Sequence, residues 1–486
     1  MKILILNPPF LPKFSRSSRS PAVTKGGTLY YPYFLAYACG FLEKNGFNVK
    51  LIDAVAREWT HEQTVKFAKE FNPSLIVIDT STPSIYNDVN VGEKIKNVLP
   101  DIHIALVGTH PTALPEQTLQ LSEKIDSICR GEYDYTVGDL AQTIEENRSL
   151  DLVDGLTFRN GKKIKHNKQR KLIENLDELP FVSEVYKKHL NIRDYFYASL
   201  RYPQVTILTA RGCPYNCSFC NTCFKNSYRT RSIENVVDEF EYIQNEMPEV
   251  KEVMIEDDTF PALKKRTIGL CNLMMKRTIK LKWSANARVN TDFETLKKIK
   301  KAGCRLLCVG FESPEQNVLD AVNKRTTKKI QIDFMRNVRK AGLLVHGCFI
   351  LGLPNDTKET IKKTIDFSKE LDCDTVQFYP LMVYPGTEAY EWAKSNNYLI
   401  TENYSKWLTP EGLHNTLISK PGLTNKDLVE LCDKARKEFY LRPTYIVSKL
   451  KQMITHPKEV KRITRGGKIF YKYLLRGSFG KEFEHS

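Results

Sequence analysis

Arg211-Gly-Cys-Pro-Tyr-Asn-Cys-Ser-Phe-Cys220 decides how this 486-residue sequence is read. Its cysteines, Cys213, Cys217 and Cys220, stand at C-x-x-x-C-x-x-C spacing just after an apolar run, 205–210, that reads as a strand. Five further runs of that kind follow, at 252–256, 282–286, 305–311, 343–351 and 375–379, and amphipathic stretches such as 232–246 and 291–302 fill the gaps. Such alternation builds a parallel sheet, and six units without a seventh and eighth predict an open, partial (β/α)6 barrel of TIM-like kind. Groups that act on a ligand are expected on the loops at the strands' carboxyl ends.

Upstream, residues 1–147 alternate in the same way. Candidate strands lie at 2–6, 48–53, 74–79, 103–107 and 125–130, with helices near 33–45, 61–71, 87–98, 114–122 and 135–146. The strand runs are apolar and β-branched, as in strands covered on both faces, so an α/β, doubly wound, Rossmann-like parallel sheet is expected. Its carboxyl-end rim reads Asn7-Pro8-Pro9, Asp53-Ala54, Thr80-Ser81-Thr82, Gly108-Thr109-His110 and Gly131-Glu132. Residues 148–200 read as a linker with a hairpin at Asn160-Gly161. The barrel is expected over 201–390 and a helical, basic C-terminal region over 391–486.

With 41% hydrophobic and 27% charged residues, the composition excludes wholesale disorder. No apolar stretch approaches the roughly 20 residues of a membrane helix, and the N-terminal run is too short for a secretory leader. A cytoplasmic protein is expected, its twelve cysteines thiols or metal ligands rather than disulfides. Cys39, Cys271, Cys348, Cys373 and Cys432 fall in apolar or helical stretches and read as core. The net charge of +16 fits a lysine-rich solvated surface or an anionic partner. No RNA-binding signature accompanies it, so nucleic acid is not expected. Past Pro443 the basic residues Lys449, Lys451, Lys458, Lys461, Arg462, Arg465, Lys468, Lys472 and Arg476 alternate with apolar ones. That pattern suits a helix packed on the barrel or, alternatively, peripheral contact with a membrane.

Three thiolates can grip one corner of a cube-shaped iron–sulfur cluster, where four would saturate its irons. The iron left open can be chelated by the amino and carboxylate groups of S-adenosylmethionine. The competing reading is a closed zinc site with Cys223 as fourth ligand. Cys223 falls in the following turn, and no second paired-cysteine motif supports that fold.

The segment, with Phe219 before its last cysteine, resembles the signature of the radical S-adenosylmethionine superfamily. Further resemblances fall at successive strand ends: Glu256-Asp-Asp-Thr-Phe260, Asn286-Ala-Arg288, Gly310-Phe-Glu-Ser313, Gly352-Leu-Pro354 and Tyr384-Pro-Gly-Thr387. The resemblance implies a pocket for S-adenosylmethionine lined by Phe219, Asp257, Asp258, Arg288, Glu312 and Ser313. Residues 1–390 together resemble the cobalamin-binding branch, through Asn7-Pro-Pro9, Leu51-Ile-Asp-Ala54, Gly108-Thr-His-Pro111 and Arg130-Gly-Glu132. It implies cobalamin contacts from Asn7, Pro8, Asp53, Thr80, Ser81, Thr82, Gly108, Thr109, His110, Gly131 and Glu132. The Asp-x-His-x-x-Gly motif whose histidine ligates cobalt is absent, which fits a corrinoid without that ligand or a domain that binds nothing.

The implied cofactors are a [4Fe–4S] cluster, S-adenosylmethionine and cobalamin. The implied activity is reductive cleavage of S-adenosylmethionine to a 5′-deoxyadenosyl radical that functionalises an unactivated carbon, with methylation as the leading outcome. The substrate would be a small molecule or lipid of natural-product type, and a flavodoxin or ferredoxin would donate the electron. Cyclisation, ring contraction or carbon–carbon coupling are the alternatives. RNA methylthiotransfer is weaker, because only Cys39 and Cys129 lie in the N-terminal domain and no recognisable RNA-binding barrel follows the radical domain. A non-enzymatic iron–sulfur or zinc protein is the remaining reading. No catalytic acid or base can be named; Tyr384 and Cys348, near strand ends, read as packing.

Overall fold

The computed structural model describes residues 1–17, 19–222, 224–455, 459–460, 462–464 and 467. Cys223 and the tail cations Lys458, Lys461, Arg465, Lys468, Lys472 and Arg476 lie outside the described residues.

The N-terminal half builds one sheet from β1 (Lys2–Asn7), β2 (Asn48–Asp53), β3 (Leu75–Thr80), β4 (His103–Gly108), β5 (Ser127–Cys129), β6 (Leu156–Asn160) and β7 (Lys163–His166). Its order is β2-β1-β3-β4-β5-β6-β7, and β1 to β5 run parallel. Alternate side chains serve opposite faces: Ile3 and Ile5 join one apolar cluster, Leu4 and Leu6 another. With both faces covered, the strands must be apolar throughout. The hairpin expected within a linker belongs instead to this sheet, β6 pairing antiparallel with β5 and β7 with β6. The three-residue β5 would otherwise leave its outer edge bare.

The second sheet takes β8 (Gln204–Ile207), β11 (Glu252–Ile255), β12 (Lys282–Ala287), β13 (Cys304–Gly310), β14 (Leu344–Leu351) and β15 (Thr375–Pro380). Between the first two lies a short antiparallel pair, β9 (Ala210–Arg211) and β10 (Arg229–Thr230). The six parallel strands run in the order β15-β14-β13-β12-β11-β8, an open partial barrel. Its two edges do not meet, and tyrosines occupy both. On β8, Tyr31 donates to the Gln204 carbonyl at 2.7 Å and Tyr186 to that of Thr206 at 3.0 Å, while Tyr37 accepts from the Leu208 N–H at 3.1 Å. On β15, the Tyr440 hydroxyl accepts from Val376 N–H at 2.8 Å and donates to its carbonyl at 2.6 Å. Buried backbone groups need such partners wherever strand pairing stops.

Helices Tyr33–Lys44 and Val182–His189 carry the apolar cluster of the first sheet through to the barrel wall. The C-terminal region, expected to be helical from 391, is irregular between helices Glu388–Ser395 and Asn425–Tyr440, with isolated bridges such as Leu399 to Ile418. Helix Pro443–Thr455 and the described residues Glu459 and Arg462 pack under the barrel. Lys449 pairs with Asp374 at 3.5 Å, and buried Glu459 takes Arg201 at 2.8 Å and Arg462 at 2.7 Å. Two of the cations expected to meet an anionic surface are therefore ion-paired within the fold. No helix among the described residues is long and apolar enough to cross a membrane.

Candidate active site

The cysteine loop leaves β9 at Gly212, whose φ is +89° and where a Cβ would sit 1.9 Å from the Ser227 carbonyl oxygen. Only glycine allows the loop to fold back so closely. Cys213 N–H then bonds the Phe224 carbonyl at 3.3 Å and Cys220 N–H that of Cys217 at 3.1 Å. Ser218 ties the loop to the far side of the barrel, its N–H reaching the Val322 carbonyl at 3.2 Å. Cys213, Cys217 and Cys220 are all free thiols, and all three line a cavity of 740 Å³. Burial raises the Cys213 thiol and, with Asp258 adding to it, pushes Cys220 up to about 11. Such a cluster of thiols favours bound metal over bare thiolate. Arg288 stacks on the Tyr215 ring at 3.8 Å and lies 3.5 Å from Cys217 Sγ.

Of the residues that the resemblance implied for S-adenosylmethionine, Phe219, Asp258, Arg288 and Glu312 line this cavity, and Asp257 and Ser313 do not. Asp257, fully buried, accepts from Thr209 N–H at 2.6 Å, Thr209 Oγ1 at 2.6 Å and Ala210 N–H at 3.1 Å, binding β11 to β8. Ser313 turns its hydroxyl to Thr364 and the Glu315 N–H. A position absent from that set is Glu256, which faces the cavity with Asp258. One residue apart along a strand means opposite faces, so period two carried the signal. The buried Oε2 atoms of Glu256 and Glu312 have no partner, although Lys324 holds Glu312 Oε1 at 2.7 Å. Buried unpaired carboxylate oxygens fit an ammonium or hydroxyl donor from a ligand. Tyr384 and Cys348, read as packing, also face the cavity. Ser20 links Tyr384 at 3.1 Å and His414 at 2.9 Å, and burial pushes the Cys348 thiol up to about 12.

The rim of the first sheet meets this site from the other side. A smaller cavity, of 100 Å³, is lined by Thr80, Gly108, Thr109, Gly131 and Glu132 of the expected set. Gly108 has φ +121°, and a Cβ there would lie 2.1 Å from the Thr80 carbonyl oxygen. Asp79 and Tyr133 line it as well; the Tyr133 hydroxyl is buried without a partner, and burial raises Asp79 to about 7. These groups fit a neutral, amide-rich ligand better than an anion.

The remaining expected contacts face inward. Asn7 bonds Asp53 at 2.8 Å, and Asp53 takes Tyr195 at 2.9 Å. The Pro8 carbonyl accepts from Arg16 at 2.7 Å, and Ser81 meets Ser84 at 2.8 Å. Thr82 faces His110 at 3.3 Å, and His110 packs edge-on against Tyr404, its pKa lowered to about 4 by burial. The sequence missed Arg16 and Arg19, in a segment without periodicity. Arg16 pairs with buried Asp88, while Arg19 reaches Asp258 at 3.2 Å and Glu256 at 3.6 Å. Arg19, Asn221, Thr222, Glu256 and Asp258 border both cavities.

Across that boundary runs a buried ion cluster. Arg211, beside the cysteine loop, holds Glu132 at 2.9 Å and Asp134 at 2.6 Å, and Arg229 holds Glu132 at 2.7 Å. The profile of the Radical SAM superfamily matches residues 207–368, and that of the B12 binding domain matches 19–141. An uncharacterized methyltransferase of Pyrococcus horikoshii is 32% identical over 469 residues, spanning 96% of this chain and 98% of that one. This chain belongs to the cobalamin-binding radical S-adenosylmethionine family. As a member it is an enzyme, and its cofactors are a [4Fe–4S] cluster, S-adenosylmethionine and cobalamin.

Other family members are similar over most of the chain. The anaerobic magnesium-protoporphyrin IX monomethyl ester cyclase of Cereibacter sphaeroides is 29% identical over 422 residues, covering 85% of this chain and 67% of its own. Among solved structures, the radical S-adenosylmethionine methyltransferase TsrM of Kitasatospora setae, with cobalamin and a [4Fe–4S] cluster bound, shares the fold. That likeness has a TM-score of 0.69 at 17% identity and covers 89% of this chain and 90% of that one. Among the described residues of this radical S-adenosylmethionine enzyme, Cys39, Glu43 and His189 also have ligand-like spacing. There His189 Nδ1 accepts from Leu51 N–H at 3.3 Å, which assigns the proton to Nε2, 3.0 Å from Glu43 Oε1. A protonated Nε2 has no lone pair for a metal, so the trio is a hydrogen-bond relay.

Proposed function

We propose that this enzyme is a cobalamin-dependent radical C-methyltransferase acting on an unactivated carbon of a lipid or natural-product-type substrate. The observation that carries the reading is the shared boundary between the cavities: the cysteine triad opens on one side of Asp258 and Arg19, the first sheet's rim on the other. In this reading Cys213, Cys217 and Cys220 hold the cluster. Glu256, Asp258, Arg288 and Glu312 hold S-adenosylmethionine, and the Thr80, Gly108 and Gly131 rim holds the corrinoid. When bound, the cluster supplies an electron for reductive cleavage of S-adenosylmethionine, and the corrinoid supplies a transferable methyl group. The chain's own residues position these groups. Glu256 and Glu312 offer unpaired carboxylate oxygens to a cation, where low water content strengthens the attraction. The Arg211–Glu132–Arg229 cluster fixes the cysteine loop against the rim, so both reacting partners are held before substrate arrives.

Anaerobic reconstitution tests the reading. Alanine at Cys213, Cys217 or Cys220 is expected to abolish the cluster's visible absorption and 5′-deoxyadenosine formation, while Cys223→Ala leaves both. Loss of the cluster in Cys223→Ala, with retention in a triad variant, would show the ligand assignment to be wrong. A second reading, cyclisation without net methyl transfer, is favoured by the likeness to the magnesium-protoporphyrin ester cyclase. S-adenosylmethionine labelled in its methyl group separates the two, since only methyl transfer places the label in product.

A further inference from the structure

The 740 Å³ cavity does not stop at the cysteines. It continues down the inside of the barrel to helix Pro443–Thr455, beneath the amino ends of the strands. Alternate residues of β14, His346, Cys348 and Ile350, face it, and the whole of β15 from Thr375 to Pro380 borders it. The lining stretch of β15, Thr375 to Pro380, runs about 17 Å at roughly 3.3 Å per residue. The opposite wall is closed low down, where Glu252 and Arg305 form a buried ion pair at 2.9 Å and Met254 packs on Leu306. The bore therefore descends along one side only.

We propose that this lower bore holds a linear hydrocarbon tail of the substrate, whose far end emerges beside helix Pro443–Thr455. The inference rests on the preceding reading for where the reacting end lies, and it names the substrate class. Three observations carry it. First, the charged side chains along the descent are engaged with the protein: Lys449 with Asp374, Arg462 with Glu459, and Arg436 with the Phe378 carbonyl at 3.0 Å. Second, the polar groups facing the bore are neutral or bonded to one another. His346 Nδ1 meets Thr375 Oγ1 at 2.7 Å, and burial lowers its pKa to about 4. A charged ligand would lose its hydration there without compensation, and a hydrocarbon chain has none to lose. Third, the rim is apolar and faces water. Ile446 and Leu450 line the cavity while 46% and 51% exposed, and Val447 and Ile454 extend the same exposed patch at 63% and 80%. Residues at i, i+4 and i+8 form one helical stripe, so a chain longer than the bore meets an apolar surface where it leaves.

The test uses the full, cofactor-loaded protein and a fluorescent sixteen-carbon fatty acid as probe. Saturable binding is expected, with a four-carbon analogue failing to compete. Gln377→Trp, which fills the bore, is expected to weaken binding about tenfold or more. Ile446→Glu with Leu450→Glu, a surface change, should weaken it measurably with cluster and corrinoid spectra unchanged. Should Gln377→Trp lose those spectra, the rim variant decides. Competition by an unbranched alcohol against a methyl-branched isoprenoid alcohol separates an acyl from an isoprenoid source, and displacement by either supports the subsite. Absent saturable binding, absent chain-length dependence, or wild-type affinity in the rim variant overturns it. Failure of probe binding alongside intact S-adenosylmethionine cleavage removes the tail subsite alone. Unchanged cluster absorption in the triad variants removes the cofactor reading instead.

Discussion

Glu256 and Asp257 are neighbours in the chain with opposite duties. Asp257 accepts three hydrogen bonds between two barrel strands, whereas Glu256 presents an unpaired oxygen to the cavity. Asp257→Ala strands buried donors at Thr209 and Ala210 and is expected to cost about 2–4 kcal/mol of stability in a denaturant titration. Glu256→Gln should leave the denaturation midpoint near wild type and weaken S-adenosylmethionine about tenfold by equilibrium binding. A reversal of those two results would make Asp257 the ligand contact and Glu256 the strand tie. The motif Glu-Asp-Asp was legible in the sequence as acidic residues at a strand end; which of them faces ligand required the strand's period. Arg19 was not legible at all, because nothing in a loop's composition tells where its side chain reaches.

Among elements, the short β9 matters beyond its two residues, since it carries Arg211 into the rim of the other sheet. Arg211 is nearly inaccessible between Glu132 and Asp134 and lies over the rings of Phe34 and Tyr37. Arg211→Met leaves buried Asp134 without its cation and Glu132 with Arg229 alone, and a loss of about 3–5 kcal/mol is expected. Limited proteolysis should then cut the loop 212–228 faster than in wild type, and equal rates would show that Arg211 does not clamp it. The alternation of strands and helices was readable in both halves because burial on two faces demands long apolar runs. The hairpin Leu156–Asn160 with Lys163–His166 was also readable, but its attachment to the first sheet was not: sequence reports a turn, not the edge it joins. The Arg211 contacts span 77 and 79 positions, beyond any local pattern.

For the whole molecule, burial makes itself felt through pH. His103, His110, His346 and His414 are each lowered from 6.5 to about 4 by burial. As pH falls past about 6.5 the unfolded chain takes up protons that the folded chain refuses until about 4. Stability is thus lost across that window, at about 1.4 kcal/mol per pH unit for each histidine. Denaturation at pH 7, 6 and 5 measures the slope, His110→Gln should reduce it, and a flat profile would contradict the burial of these rings. The tyrosines along β8 carry a consequence for how the protein can be divided. Tyr31 and Tyr37 come from the N-terminal half and Tyr186 from the segment leading into the barrel. A fragment beginning at Leu200 would expose the unsatisfied carbonyls of Gln204 and Thr206 and the N–H of Leu208 along an open edge, an invitation to stack with its own copies. Such a fragment should scatter light and sediment as aggregate where the intact chain does not. The first half thus guards the second against self-association, a duty separate from anything it binds.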